Sequence, residues 1–325
     1  GIMSVNNIAV FTSGGDAPGM NACIRACVRV GIQKGWKVYG ILNGYEGMID
    51  GHINEMDSRS VGNIIHRGGT ILKSSRSKRF TTAEGRKQAY EQLKSRNIDA
   101  VIAIGGDGTF KGAQQFTKEY NLPFTGIPGT IDNDLFGTDY TIGYDSAVAT
   151  AVELIDKVRD TANALGRLFF IEVMGRDVGT IALASGLASG AEDILIPEIK
   201  TDLDEISAKL KKSKQKESYI IVVAEGDDAG GVMEISAKFK QMHPEYDIKT
   251  LVLGHLLRGG NPSANDRILA SRLGVAAVDA IAEGNFNVMA GIHNNRVLFT
   301  PLNLSCKHFM EINQEWKHLM DLLSC

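Results

Sequence analysis

The sequence predicts an α/β fold of two doubly wound lobes, each built on a mostly parallel sheet, with a cleft between the lobes. Short apolar β-rich runs alternate with longer segments of helical period, which is the pattern of successive βαβ units. The strands are too continuously apolar to be half exposed, so we expect helices on both faces of each sheet. A second series of units begins near residue 140, and 325 residues are enough for two lobes.

The elements of both series follow a regular order. The first series predicts strands at 8–12, 37–42, 100–104 and 124–127 and helices at 20–35, 83–97 and 108–120. The second predicts strands at 167–175, 193–197 and 219–225 and helices at 146–163, 179–190 and 202–216. Gly35 directly after the apolar period predicts the end of the first helix. An amphipathic segment at 309–323 predicts a terminal helix that packs on the second lobe.

Composition and charge exclude several classes of protein. The hydrophobic share of 43% and the charged share of 22% are typical of a globular protein, and a net charge of −3 gives no electrostatic reason to bind nucleic acid. No apolar run of membrane-spanning length and no secretory signal segment are evident. Cys23 and Cys27 lie one helical turn apart, which favours reduced core residues over a disulfide, and no matching second pair indicates zinc. We therefore expect a cytoplasmic protein without membrane contact.

Three predicted strands of the first lobe end in TSGGDAPGMN (12–21), IGGDGT (104–109) and PGTIDND (128–134). Ligands of open α/β sheets bind at the carboxyl ends of strands, where glycines admit phosphate to backbone N–H groups and to the start of the next helix. Each segment alone also fits a tight turn, and neither glycine-rich segment matches the P-loop or the dinucleotide fingerprint. Three together indicate a phosphate site. Asp107 beside phosphate is unfavourable without a cation, and Mg²⁺ is the expected one.

The loop HRGGTILKSSRSKRF at 66–80 is strongly basic. Its cations are Arg67, Lys73, Arg76, Lys78 and Arg79. Most of them fit a solvated surface loop. At least one arginine near the phosphates would stabilise the charge that spreads over a phosphoryl group during transfer.

The chain resembles the 6-phosphofructokinase family, in its bacterial ATP-dependent form, through TSGGDAPGMN, GGDGT, PGTIDND, GTDYTIGYDSA, EVMGR, GHLLRGG and DRILASRLG. The match covers nearly the whole chain and thins after about residue 300. The resemblance implies transfer of the ATP γ-phosphate to the 1-hydroxyl of fructose 6-phosphate, which gives fructose 1,6-bisphosphate and ADP, the committing step of glycolysis. It also implies a discontinuous ATP-binding lobe at 1–142 plus 257–305 and a fructose 6-phosphate-binding lobe at 143–256 plus 306–325.

The resemblance also assigns roles residue by residue. Asp132 matches the general base that takes the proton from the sugar hydroxyl, and Asp107 matches the Mg²⁺-linked aspartate. The implied catalytic residues are Asp132, Thr130, Arg176 and Arg76. The implied ATP contacts are Gly15, Arg76, Gly106, Asp107, Gly108 and Thr109. The implied sugar-phosphate contacts are Thr130, Ile131, Asp132, Arg167, Met174, Gly175, Arg176, Glu225, Lys249, His255 and Arg258.

Some of these residues have ordinary structural interpretations when the family is set aside. His255 fits a histidine at the edge of a core, Glu225 a solvated strand end, and Arg167 a surface residue that closes a helix. Lys249 stands where bacterial members carry an arginine for the 6-phosphate, and lysine cannot form a bidentate fork. Arg167 matches an arginine that reaches the sugar from a neighbouring subunit, which implies an oligomer, with a homotetramer expected.

Two glycines bear on the phosphoryl donor. Pyrophosphate-dependent members of the family carry an aspartate where this chain has Gly108 and a lysine where it has Gly129. A carboxylate at 108 would occupy the space of an α-phosphate and repel it. We expect both glycines to leave room for a nucleotide, which predicts ATP as the donor.

The effector site of the family, which binds ADP or phosphoenolpyruvate between subunits, is only partly matched. The matching residues are Arg25, Arg29, Arg159, Gly190, Glu192, Lys214 and Lys216. Ser58 and Glu217 stand where basic residues are common, although Arg59 is adjacent to the first. Fewer cations weaken an anion site, so we expect reduced or altered regulation.

Three other functions remain open from the sequence. One is a pyrophosphate-dependent phosphofructokinase. Another is a lipid or NAD kinase that shares only GGDGT, and the PGTIDND and EVMGR context speaks against it. The third is a nucleotide-sensing subunit without catalysis, which should have lost Asp132 or Asp107, and both are present.

Overall fold

The structure, a computed structural model, describes residues 4–212, 218–308 and 313–323. The chain divides into two compact units. Unit 1 comprises Gly1–Ser146 and Arg258–His308, and unit 2 comprises Ala147–Leu257 and Phe309–Cys325. Each unit has its own sheet, with helices between successive parallel strands, so the predicted α/β fold with mostly parallel sheets is confirmed.

Unit 1 is built on a seven-stranded sheet in the order β11-β10-β5-β4-β1-β2-β3. Its strands are β1 (Asn7–Thr12), β2 (Lys37–Ile41), β3 (Ile53–Met56), β4 (Ala100–Gly105), β5 (Phe124–Pro128), β10 (Val288–His293) and β11 (Arg296–Pro301). Its helices are α1 (Met20–Gln33), α2 (Gly44–Asp50), α3 (Ala83–Ser95), α4 (Asp107–Glu119) and α9 (Ala264–Ala282). Among the described strands of this sheet, the pairs β2 with β3 and β10 with β11 are antiparallel and the others are parallel, so the central strands keep the parallel arrangement that the sequence predicts.

Unit 2 is built on a four-stranded parallel sheet in the order β7-β8-β6-β9. Its strands are β6 (Leu168–Val173), β7 (Asp193–Leu195), β8 (Tyr219–Ala224) and β9 (Ile248–Val252). Its helices are α6 (Thr180–Ala188), α7 (Leu203–Lys212), α8 (Val232–Met242) and α10 (Gln314–Leu323), and α5 (Tyr144–Leu165) begins in unit 1 and continues into unit 2. The helix α10 lies on α6, as the amphipathic pattern near the C-terminus predicts.

Local signals explain where several helices begin and end. Gly35 follows α1 with a φ of +82°, a conformation that glycine adopts without steric cost. Thr82 caps α3, since its Oγ1 accepts the Gly85 N–H at 3.0 Å. Ser263 caps α9 by accepting the Asp266 N–H at 3.2 Å.

One core of unit 1 lies between the sheet and the helices α2 to α4, and the helices α1 and α9 bury a second set of apolar residues. Tyr45 stacks on Phe80 with 3.8 Å between ring centroids, and Phe116 packs against Phe124 at 5.0 Å. Cys23 and Cys27 are buried in α1 without a disulfide, as predicted. In the described part of the chain, no helix has both the length and the apolar character that crossing a bilayer requires.

Candidate active site

The three strand ends singled out in the sequence lie side by side in unit 1. The strands β1, β4 and β5 are neighbours and run parallel, so their carboxyl ends meet at one edge of the sheet. Pairing continues past the strands: Ser13 N–H donates to the Ile104 carbonyl at 3.0 Å. In the same way Gly129 N–H donates to the Gly105 carbonyl at 2.9 Å. The predicted convergence of these loops is therefore present.

The first loop brings a glycine backbone against an arginine. Gly15 is exposed, and a Cβ added to it would overlap the guanidinium of Arg258. The Arg258 Nη1 also donates to the Asp16 carbonyl at 3.3 Å. A residue predicted to contact ATP and a residue predicted to contact the sugar phosphate thus adjoin within unit 1.

The second loop places Asp107 at the start of α4. Burial of its carboxyl favours the neutral form, but a 2.8 Å ion pair with Lys111 Nζ and a 2.8 Å hydrogen bond from the Lys307 backbone N–H outweigh burial. The pKa of Asp107 is therefore below its ordinary value, and the carboxylate is ionised at neutral pH.

The donor set at Asp107 fits one kind of metal binding. Within the described residues, no cluster of three or more His, Cys, Asp or Glu side chains is placed to hold a metal. Protein-bound Mg²⁺ commonly uses one or two carboxylates and takes its other ligands from water and substrate phosphates. A single ionised carboxylate at a helix N-terminus fits Mg²⁺ that arrives with a nucleotide.

The third loop buries its acidic residues. Asp132 and Asp134 are each 5% exposed, and Asn133 between them has a φ of +51°, which asparagine tolerates better than most residues. The Asn133 Oδ1 accepts the Thr141 N–H at 2.9 Å, and its Nδ2 donates to the Asp139 carbonyl at 3.2 Å. Asn133 therefore turns the chain between the two aspartates and fastens the loop.

Asp134 shows how crowded with charge this loop is. Burial, followed by the nearby Asp132 carboxylate, raises the pKa of Asp134 from 3.8 to about 6, although Lys307 opposes the shift. Its own carbonyl accepts the His308 N–H at 2.7 Å. A carboxyl that titrates so close to neutral pH marks this edge of the sheet as a site of special electrostatics.

The basic loop divides into structural and exposed cations. Arg79 donates two 2.9 Å hydrogen bonds to the Asp50 carboxylate. Its side chain therefore fastens the basic loop to the end of α2 and has a structural role. Ser74 Oγ donates to the Gly14 carbonyl at 2.7 Å, which ties this loop to the first glycine loop. Arg76 lies two residues beyond that tether and is exposed, so it is the arginine of the loop best placed to meet a ligand at Gly14 and Gly15.

In unit 2, a carboxylate organises the turn that follows β6. The Glu225 Oε1 accepts the N–H groups of Gly175 at 3.2 Å and Arg176 at 2.7 Å. Both residues have positive φ, 151° for Gly175 and 55° for Arg176, and the second is a strained value for a long side chain. The turn therefore fixes the backbone of Arg176, whose side chain is exposed, beside Glu225 and Met174.

Two further predicted substrate residues lie at the other end of the same sheet. Arg167 precedes β6 and donates to Asp247 Oδ2 at 2.9 Å, and Lys249 Nζ lies 3.5 Å from Asp247 Oδ1. The parallel register pairs Phe169 with Lys249, so both cations lie where the strands begin. The structure brings Arg167 and Lys249 together, but it does not bring them to the turn of Gly175 and Arg176.

The family model for phosphofructokinase matches residues 7–281, which spans all three strand ends and the Arg176 turn. The chain belongs to the phosphofructokinase family. It is 52% identical over 322 residues to the ATP-dependent 6-phosphofructokinase of Cytophaga hutchinsonii, with 98% of both chains covered. It is 50% identical to ATP-dependent 6-phosphofructokinase 1 of Thermus thermophilus, covering 98% of this chain and 100% of that one.

A solved structure of phosphofructokinase from Saccharomyces cerevisiae is similar to this chain with a TM-score of 0.87 and 37% identity. The alignment covers 92% of this chain and 45% of the yeast chain. The likeness therefore extends over both units of this phosphofructokinase.

The two glycines that bear on the donor differ in their surroundings. A Cβ at Gly108 would meet nothing within 4 Å, so the space there is open as expected. A Cβ at Gly129 would lie 2.9 Å from Ile104 Cγ2 and 3.4 Å from Met20 Cε. The expectation that Gly129 leaves room for a nucleotide is wrong at the level of its Cβ, because that direction is filled by buried side chains. Gly129 is instead required by close packing of β5 on β4.

Part of the predicted effector set is assembled in unit 2. Arg159 Nη1 pairs with Glu192 Oε1 at 2.7 Å, and its Nη2 donates to the Gly190 carbonyl at 2.9 Å. Arg25 and Arg29 lie on α1 of unit 1, and Ser58 and Arg59 are exposed in the loop after β3. The predicted residues Lys214 and Lys216, together with Glu217, lie outside the described residues.

The remaining predicted residues occupy unremarkable positions in these loops. Gly106 caps α4, where a Cβ would lie 3.6 Å from Thr130, and buried Thr109 accepts a 2.5 Å hydrogen bond from Tyr45 at its carbonyl. Ile131 is fully buried and His255 is exposed in a 3-10 helix at Gly254–Arg258. Sequence reasoning missed Lys111 and Lys307 at Asp107. The spacing of four residues from Asp107 could have indicated Lys111, but nothing local pointed to Lys307.

Proposed function

We propose that this chain is an ATP-dependent 6-phosphofructokinase that transfers the γ-phosphate of ATP to the 1-hydroxyl of fructose 6-phosphate. The observation that carries the proposal is the buried Asp132 loop beside two glycine-rich strand ends, at the edge where α4 begins. Relatives named ATP-dependent 6-phosphofructokinase at 50–52% identity over nearly the full chain support it.

Unit 1 then binds the nucleotide and unit 2 most of the sugar phosphate. Backbone N–H groups at Gly15 and Gly106 to Thr109 meet the phosphates, which the N-terminus of α4 also favours. Bound Mg²⁺ would neutralise charge on the β- and γ-phosphates. Asp107 would hold that ion, and Lys111 and the Lys307 N–H keep its carboxylate ionised and oriented.

The side chains around the acceptor hydroxyl have different roles in phosphoryl transfer. Asp132 accepts the proton of the 1-hydroxyl as the oxygen attacks phosphorus. Thr130 orients the transferring group, and its Oγ1, which accepts the Asp132 N–H at 3.3 Å, belongs to the same rigid turn. Arg76 and Arg176 stabilise the charge on the transferring phosphoryl. Positioning and electrostatics thus supply the catalysis, without a covalent intermediate.

The sugar phosphate is recognised by residues of both the Arg176 turn and the chain around Arg258. The contacts in this proposal are Ile131, Met174, Gly175, Glu225, His255 and Arg258. Arg167 and Lys249 share Asp247 at the far end of the unit 2 sheet, so we assign both to the 6-phosphate in a neighbouring subunit. This assignment requires an oligomer, which we propose is a homotetramer.

Regulation and cellular placement complete the proposal. The Arg159, Glu192 and Gly190 cluster serves a nucleotide or phosphoenolpyruvate effector together with Arg25 and Arg29. Ser58 in place of a cation weakens the response. The enzyme works in the cytoplasm with ATP and fructose 6-phosphate as its substrates.

Steady-state activity tests the donor and the acceptor together. The purified chain with Mg²⁺ and fructose 6-phosphate is given ATP or pyrophosphate, and formation of fructose 1,6-bisphosphate is measured. We expect turnover with ATP and little with pyrophosphate. Turnover that prefers pyrophosphate would support the second candidate, a pyrophosphate-dependent enzyme, and no turnover with either donor would remove both.

A further inference from the structure

Asp266 is the most completely buried carboxylate among the described residues, and no role in binding or chemistry involves it. It lies in the first turn of α9 and is 1% exposed. Its Oδ1 accepts the Gly143 N–H at 3.0 Å. Its Oδ2 accepts the Ser146 N–H at 2.9 Å and the Ser146 hydroxyl at 2.5 Å. Three donors converge on one carboxylate, which is the arrangement that makes a buried charge tolerable.

Gly143 links this carboxylate to the active-site loops. It has a φ of +105°, and a Cβ there would lie 2.6 Å from Ala17 Cβ, 3.3 Å from Pro18 Cδ and 3.3 Å from Ile131 Cγ2. Gly143 is therefore wedged between the first glycine loop and the residue that precedes Asp132. A shift of Gly143 would displace one or both loops, because the contacts leave no space.

The residues before Gly143 fasten the third loop from outside. Ile142 N–H donates to the Pro128 carbonyl at 2.9 Å. Thr141 Oγ1 donates to the Thr130 carbonyl at 2.6 Å, and the Thr141 N–H donates to Asn133. The segment 141–143 is thus held to the loop by three hydrogen bonds and to Asp266 by a fourth.

The segment that leads into α9 is part of the same network. Ser263 N–H donates to Ser146 Oγ at 2.9 Å, and Ser263 Oγ donates to Asp145 Oδ2 at 2.6 Å. Unit 1 ends its first segment at Ser146 and resumes at Arg258, so these bonds join the two segments near their boundaries.

We propose that Asp266 is a positioning residue: its carboxylate holds Gly143, and Gly143 holds the loop that carries Thr130 and Asp132 in the geometry for phosphoryl transfer. The role of Asp132 in this statement rests on the proposed function, while the positioning of its loop does not. Gly143 belongs to the motif GTDYTIGYDSA and Asp266 to the motif DRILASRLG. In this proposal, the two motifs act together to hold the Asp132 loop.

Hydrogen exchange tests the positioning without any substrate. Asp266→Asn preserves shape but replaces one acceptor oxygen by an N–H₂ donor, which must face either the Gly143 N–H or the donors of Ser146, so at least one of these hydrogen bonds is lost. We expect faster deuterium uptake in peptides that cover 128–146, with peptides of β6 and β8 unchanged. The matched control is Asp279→Asn on the same helix, a half-exposed aspartate paired with Lys34, which should leave 128–146 as in the wild type. Unchanged uptake in Asp266→Asn would overturn the proposal.

A kinetic cycle tests whether the effect acts through Asp132. We expect Asp266→Asn to lower kcat by about 10- to 100-fold, since small misplacements of catalytic groups cost that much, with both KM values within about threefold. In an Asp132→Asn background, the same Asp266→Asn change should lower kcat by less than about threefold. An equal loss in both backgrounds would mean a merely structural role. A wild-type chain without activity would defeat the proposed function but leave the exchange result valid.

Ser146→Ala covers the case in which Asp266→Asn does not fold. It removes only the hydroxyl that donates to Asp266 and accepts from Ser263. A kcat reduced by about three- to tenfold at an unchanged melting temperature would support the positioning role. A wild-type kcat would count against it.

Discussion

Asp134 is a buried carboxyl whose surroundings shift its pKa towards neutral pH. Its pKa is raised from 3.8 to about 6 by burial and by Asp132. Between these two pH values the folded chain holds a proton on Asp134 that the unfolded chain has released. The contribution of this proton to stability is complete below about pH 4 and is lost as the pH rises through 6. At about 1.4 kcal/mol for each pKa unit, the full effect is about 3 kcal/mol.

Asp134→Asn should abolish that pH dependence. We expect the variant to melt at a higher temperature than the wild type at pH 8, because it buries no charge, and the gap to close by pH 4. Differential scanning calorimetry from pH 4 to 8 measures it. Asp156→Asn, an exposed change on α5, is the control and should track the wild type. A constant gap across the range would show that the charge of Asp134 is not the cause.

A single substitution at Gly108 tests which phosphoryl donor the chain prefers. Because its Cβ direction is open, Gly108→Asp should fold normally, and a carboxylate at the start of α4 even favours the helix dipole. We expect kcat/KM for ATP to fall about 100-fold through repulsion of the nucleotide phosphates, measured at saturating fructose 6-phosphate. Gln115→Asp, exposed two turns further along α4, adds the same charge as a control. Retained ATP use would exclude Gly108 as a determinant of the donor.

At the scale of elements, the caps are the local signals with the simplest consequences. Thr82→Ala removes the hydroxyl that accepts the Gly85 N–H, so α3 loses its N-cap. We expect the free energy of unfolding to fall by about 1 kcal/mol, seen as a lower denaturant midpoint, with kcat unchanged. Thr82→Ser keeps the oxygen and should retain most of the stability. Equal losses in both variants would point to the methyl group and away from the cap.

Elements were predicted correctly where a clear hydrophobic period is bounded by residues typical of turns or helix ends. The strands β1, β4, β5, β6 and β8 and the helices α1, α3, α4, α5 and α6 all begin and end within a few residues of their predicted bounds. The hairpin of β10 and β11 was not predicted, although Asn294 and Asn295 form its turn with φ values of 49° and 62°. Its strand β11 is largely exposed and mixes polar with apolar residues, so its period is weak.

At the scale of the whole molecule, the proposed assignment of Arg167 and Lys249 to a neighbouring subunit's 6-phosphate would make the active site depend on assembly. We expect Arg167→Ala and Asp132→Asn homo-oligomers to be nearly inactive with dilute fructose 6-phosphate. After dissociation and mixing, some sites combine an intact Asp132 with an intact neighbouring Arg167, so activity should return. Mixing Asp132→Asn with Asp107→Asn is the control, because both residues belong to the same unit and no combination restores a site. If the first mixture also stays inactive, Arg167 serves its own subunit.

The sequence by itself determined the alternation of strands and helices, the three strand ends that carry glycine-rich or acidic motifs, and the family. These depend on local period, on turn chemistry and on motif spacing, all of which are present in the linear chain. The sequence also placed Asp132 and Arg176 in loops that follow strands and Asp107 where a strand gives way to the next helix.

Only the tertiary structure decided which partners those residues have. Lys307 approaches Asp107 across 200 positions of sequence, and Asp266 holds Gly143 across 123. The packing of Ile104 beside Gly129 and the separation of Lys249 from the Arg176 turn likewise follow from how parallel strands order their ends. Burial and pairing of charges depend on distances in space, and no local pattern encodes those distances.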